Sequence, residues 1–114
     1  MKRTLNLFIE DILENIKLIE ESIKNLSKEE FISDKLIIDA TIRRLEIIGE
    51  AVKNIPDSFR DKYDEISWKK IAGLRDIIIH AYFNIDLDTT WNIIKKDIPI
   101  LKKQMEKIKK ELKK

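Results

Sequence analysis

Residues 5–26, LNLFIEDILENIKLIEESIKNL, decide the fold. Leu5, Ile9, Ile12, Ile16, Ile19, Ile23 and Leu26 recur in alternating steps of four and three, the period of one apolar stripe on a helix, and Glu10, Asp11, Glu14, Lys17, Glu20 and Glu21 occupy the positions between. The pattern predicts a first helix over about residues 4–26. Only two Gly and two Pro occur in the 114 residues, too few for the turns of a β-sandwich or barrel, so the rest of the chain also reads as helical. With 43% apolar and 39% charged residues, the chain has the aliphatic surface for one core and a length that suits one domain, residues 1–114.

Working outward, Ser27 and Glu30 form a capping-box pattern, in which the Ser oxygen meets the third-residue amide and the Glu reaches back to the cap. A new helical segment is expected there, with a break near Ser33 and Asp34. Leu36, Ile38, Ile42, Leu45, Ile48, Val52 and Ile55 then continue the helical spacing until Pro56, so the second helix is expected to end near Asn54. The polar stretch PDSFRDKYDEI reads as a connector with one helical turn after the proline. Ser67 is placed to cap a third helix from Trp68 to about Ile79 or Tyr82, held in register by Ile71, Leu74 and Ile78. Asp86 or Asp88 can cap a last helix with the stripe Trp91, Ile94, Ile98, Leu101, Met105, Ile108 and Leu112, which Pro99 should kink. Four main helices with short links predict an all-α, antiparallel up-and-down bundle.

Composition excludes several chemistries. There is no Cys, which removes disulfides, thiolate catalysis and Cys-based metal sites, and the single His80 cannot build a multi-histidine site within one chain. No apolar run reaches the roughly 18–20 residues that span a bilayer. The start MKRTLNLFIEDILENI carries acids where a signal peptide is apolar, so a cytoplasmic location is expected. The net charge of +2 hides an asymmetry: residues 95–114 hold nine Lys against Asp97, Glu106 and Glu111, while residues 1–94 are net negative. A basic end of this kind can attract a nucleic-acid backbone or an acidic partner, or be a solvated helix face.

The stretch most able to do chemistry is Gly73-Leu74-Arg75-Asp76-Ile77-Ile78-Ile79-His80-Ala81-Tyr82. By residue type it suits metal-independent RNA cleavage. Imidazole titrates near neutrality and can take the proton of a ribose 2′-hydroxyl, and a guanidinium can hold the phosphate as charge accumulates on its oxygens. Asp76, one turn before His80, can support the ring. Arg75 and His80, however, lie about 140° apart on a regular helix. Either the helix loosens before His80, or the site is assembled from two subunits.

Glu46 and Glu50, beside Arg43 and Arg44, read first as an exposed or dimer-facing charge network; they could also pair with Arg75 across the bundle or hold a divalent ion, but two carboxylates alone make a poor metal site and no metal is expected. Trp68 and Trp91 could stack RNA bases, although both fall on apolar stripes and read as core. Gly73, inside a predicted helix, suggests a close backbone approach to another helix or to another subunit.

GLRDIIIHAYFNID, preceded by RRLEIIGEAVKNIP at 43–56 and followed by TTWNIIKKDIPILKKQMEKI, resembles the HepT-like family of HEPN-domain ribonuclease toxins along nearly the whole chain. Arg75, Asp76, His80 and Tyr82 satisfy that family's motif of Arg, a polar residue, a short spacer, His, any residue and Tyr. The resemblance implies a HEPN-like homodimer with metal-independent endoribonuclease activity, Arg75 and His80 sitting in a cleft at the dimer interface, and no cofactor. It further implies a minimal nucleotidyltransferase antitoxin that attaches AMP to Tyr82. The rival expectations are a catalytically silent helical partner that presents Tyr82 or a nucleotide to the nucleotidyltransferase, and a general RNA-binding module using the basic tail.

Overall fold

The computed structural model describes residues 2–83 and 86–113, with the backbone alone for Lys2, Arg3, Arg75, His80, Ala81 and Tyr82. The described residues form an all-α bundle. Helix α1, Lys2–Ile23, buries Ile9, Ile12, Ile16, Ile19 and Ile23, the centre of the predicted stripe, while Leu5 and Leu26 pack against the edge of the core. The capping box forms as expected. The Glu30 amide donates to Ser27 Oγ at 3.1 Å and the Ser27 amide donates to Glu30 Oε1 at 2.9 Å, which starts α2, Lys28–Ser33. Asp34 then caps α3, Lys35–Lys53, by accepting from the Ile37 amide at 3.1 Å, so the expected break is real. Asn54 closes α3, and after Pro56 come the single turn α4, Asp57–Arg60, and a 3₁₀ turn, Asp61–Tyr63.

The third helix departs from the expectation of one continuous rod. It divides into α5, Trp68–Ala72, and α6, Leu74–Tyr82, at Gly73, whose φ of −82° and ψ of 4° leave the helical well. Gly costs about 1 kcal/mol relative to Ala in a helix interior, so it is the cheapest place for the rod to divide. Ser67 stands at the start of α5, but its side chain makes no capping hydrogen bond. Within one copy, Gly73 makes no close approach to another helix among the described residues. A Cβ built there would meet only the Lys69 and Lys70 carbonyl oxygens of its own turn, at 3.3 and 3.5 Å. The close approach belongs to Gly49, where a Cβ would lie 3.6 Å from the Ile71 carbonyl oxygen and 3.9 Å from Leu74 Cβ. These are ordinary contact distances, so Gly49 marks where the α5–α6 junction rests on α3, with room for a methyl group and little more.

The last helix is likewise divided. Asp86 caps α7, Leu87–Asn92, through the Thr89 amide at 3.1 Å; a π turn follows over Ile93–Asp97, and α8 runs Ile98–Leu112. Pro99 therefore falls in the first turn of α8, where its missing N–H is not needed, and the π turn takes up the mismatch ahead of it. The four stretches foreseen are thus drawn as eight α-helices with one 3₁₀ and one π turn among the described residues.

One apolar cluster joins α1, α3 and α8 with Phe31, Trp68, Leu74 and Ile78, and most of its members are isoleucines, stiff at χ1, which lose little rotamer freedom on burial. Helix α8 runs antiparallel to α1: Lys102, early in α8, pairs with Glu20, late in α1, at 2.9 Å, while Lys109 and Lys110 stand near Leu13 and Lys17. Trp68 is buried and donates from Nε1 to the Tyr63 carbonyl at 2.9 Å; Trp91 packs on Phe31 with ring centroids 5.2 Å apart. Both tryptophans are structural. No helix among the described residues is long and apolar enough to cross a membrane.

Candidate active site

Helix α6 carries the motif. Leu74 and Ile78, 4% and 7% exposed, fall on one face and pin the helix to the core, while Asp76 is exposed and Ile79 is 47% exposed on the flank next to Ile78. Three consecutive isoleucines thus meet three environments: Ile77 partly buried, Ile78 buried and Ile79 open to solvent.

The side chains of Arg75, His80 and Tyr82 lie outside the described residues, and with them the support of His80 by Asp76 and any pairing of Arg75 with Glu46 or Glu50. The backbone nevertheless decides one question left open by spacing. Helix α6 keeps α geometry from Leu74 through Tyr82, so it does not loosen before His80. Positions 75 and 80 remain about 140° apart around its axis. Position 75 falls on the flank of Ile79, and positions 76 and 80 fall on the other.

Beside the Ile79 flank is a cleft of about 450 Å³ between α3 and α5–α6, with Glu46, Gly49, Glu50 and Lys53 on one wall and Ala72, Ile78 and Ile79 on the other. Its acids are held by their own helix: Arg43 pairs with Glu46 at 2.9 Å and Lys53 with Glu50 at 3.9 Å. All four side chains are about half exposed or more, so these pairs are worth little to stability. Among the described residues no three His, Asp or Glu side chains gather to hold a metal ion. Gly49 is the residue of this site that spacing missed. It sits at a regular position of the α3 pattern, and only the docking of the α5–α6 junction shows that this position faces a neighbouring backbone.

The ribonuclease HepT-like family profile matches residues 12–108, and the chain belongs to that family. It is 48% identical over 110 residues to a Thermococcus cleftensis protein named "Probable ribonuclease HepT", covering 96% of this chain and the whole of that one. It is 49% identical over 112 residues to the Methanocaldococcus jannaschii "Gamma-glutamylcyclotransferase and putative RNase", covering 98% of this chain but only half the length of that relative. A third relative, named "Putative RNase", from Caldanaerobacter subterraneus, is 45% identical over 89% of this chain and 90% of its own. No solved structure matches significantly.

Proposed function

We propose that the chain, as a single HEPN-like domain over residues 1–114, is a metal-independent endoribonuclease whose working site is built by two copies. The observation that carries this reading is the family match across residues 12–108, within which Arg75, His80 and Tyr82 fall on one unbroken helix. Because the helix stays regular, one copy does not bring positions 75 and 80 onto one face, whereas a second α6 packed beside the first offers each Arg75 a His80 from across the interface. The half-exposed Ile79 and the open cleft beside it give that second copy an apolar surface to cover.

In this reading His80 removes the 2′-hydroxyl proton, and the resulting oxygen attacks the adjacent phosphorus. The 5′-oxygen leaves and takes up a proton, giving a 2′,3′-cyclic phosphate and a free 5′-hydroxyl. Arg75 holds the phosphate oxygens as negative charge builds on them. Asp76, one turn ahead of His80, orients the ring. The protein is the toxin of a pair, and its partner is a minimal nucleotidyltransferase that transfers AMP from ATP to the Tyr82 oxygen, which loses its proton as pyrophosphate leaves. The added phosphate gives Arg75 an internal anion in place of RNA.

Purified protein incubated with labelled RNA in EDTA tests this directly. Wild type should cleave and leave cyclic phosphate ends, and Arg75→Ala and His80→Ala should not. Cleavage retained by folded His80→Ala would overturn the assignment. Absence of cleavage by a wild-type protein shown by mass spectrometry to carry no AMP would favour a silent partner of the nucleotidyltransferase.

A further inference from the structure

A second concave surface lies away from the motif helix. Between α1 and α8 is a cleft of about 620 Å³ whose walls carry Lys17, Lys102, Lys109, Lys110 and Lys113, with Glu106 the one acid and Leu13 the one apolar side chain. Lys102 is already committed to Glu20, which raises its pKa chiefly through the hydrogen bond between them. Lys17, Lys109, Lys110 and Lys113 form no ion pair among the described residues. Lys103 and Lys107, also exposed and unpaired, continue the basic surface around α8. On the other side the field is bounded by Glu10, Asp11 and Glu14 of α1, which border a neighbouring hollow with Lys17 and Lys109.

We infer that this cleft is a second RNA-binding site that holds the phosphate backbone along α8, remote from the reacting phosphate. Like charges gathered in a hollow reinforce one another, and a chain of phosphates is the ligand that offers a complementary charge at every step. The lining dictates the kind of contact. Among the described residues that line it there is no Arg for bidentate recognition and no aromatic ring on which a base could stack, so these side chains read charge and not sequence. The acids on α1 direct the strand along α8 instead of across the bundle. The site rests on the ribonuclease reading only for the identity of its polyanion. Its walls belong to α1 and α8, whereas the motif helix α6 packs on α3 and α7.

Binding of a fluorescent single-stranded RNA to inactive His80→Ala protein tests the cleft without requiring cleavage. The triple replacement Lys109→Gln, Lys110→Gln and Lys113→Gln keeps comparable helix propensity. It should weaken binding about ten-fold at low salt and reduce the slope of log Kd against log salt by about 2, at roughly 0.7 per phosphate contact. Glu106→Gln should tighten binding, a gain that misfolding cannot produce. A Kd within two-fold and an unchanged slope in the triple variant would overturn the proposal, as would equally effective displacement by a poly-glutamate peptide of matched charge, which would make the cleft an acidic-protein site. Loss of the endoribonuclease reading has a separate signature: lysine-dependent binding by His80→Ala alongside no cleavage by wild type.

Discussion

Helices α1 and α6 are both rich in isoleucine, yet they put it to different uses. In α1 the isoleucines recur at helical spacing, and the five from Ile9 to Ile23 are buried. In α6 three follow one another, and the same side chain is distributed from the core at Ile78 to the surface at Ile79. The first arrangement makes a scaffold. The second makes a short helix anchored on one face and open on another, the form that the proposed two-copy site calls for. Apolar content alone does not distinguish the two; its phase along the chain does.

The sharpest way to break the comparison is to remove chemistry from one region and packing from the other. His80→Ala should lower the cleavage rate by about 10²–10⁴-fold or more while leaving thermal unfolding nearly unchanged. Ile16→Ala, at a side chain of α1 with no exposure, should cost about 2–5 kcal/mol in urea unfolding. Ile79→Ala should move monomer stability by less than about 1 kcal/mol and weaken self-association, seen by sedimentation. An Ile79→Ala loss equal to that of Ile16→Ala would mean that α6 is as deeply packed there as α1.

A smaller contrast separates the two serine starts. Ser27→Ala should cost about 1 kcal/mol because it removes a complete capping box, and Ser67→Ala should stay within about 0.5 kcal/mol because no capping bond exists there. The smallest effect depends on pH. The Tyr63 hydroxyl donates to Glu111, and that hydrogen bond, with some burial, pushes the phenol up from 10.0 to about 12. A raised phenol pKa favours the folded state while the proton is on. The contribution is complete below about pH 10 and is lost as pH rises through about 12. The stability difference between wild type and Tyr63→Phe should therefore hold steady from pH 7 to 9 and shrink over that upper window; a difference that stays constant to pH 12 would break the assignment.

Much of this architecture was legible because its signals are local. A capping box needs only Ser27 and Glu30, and an apolar stripe needs only its own helix. The candidate site was legible to the same depth and no further: Arg75, Asp76, His80 and Tyr82 stand out by type and spacing, but whether the helix loosens between positions 75 and 80 is a backbone property, and α6 stays regular. Gly73 and Gly49 show the limit most plainly. Spacing drew attention to Gly73 as a point of close approach, and instead it divides the rod, while the approach is made at Gly49. Lys17 is a similar case. It reads as an ordinary solvated residue of α1 until α8 is laid antiparallel beside it.

The helical class, most of the core stripes of α1, α3 and α8, the capping box at Ser27, the break near Asp34, a cap at Asp86 or Asp88 and the motif that carries the family resemblance were legible in the chain alone, since the structural signals rest on interactions within a few residues. Only the tertiary structure decided where the third and fourth stretches divide, which glycine admits a neighbour, which of three adjacent isoleucines stays exposed, and that lysines 92 and more residues apart, Lys17 with Lys109, Lys110 and Lys113, share one cleft. Those outcomes depend on how helices dock, and docking is set by side chains far apart in the chain meeting on one surface.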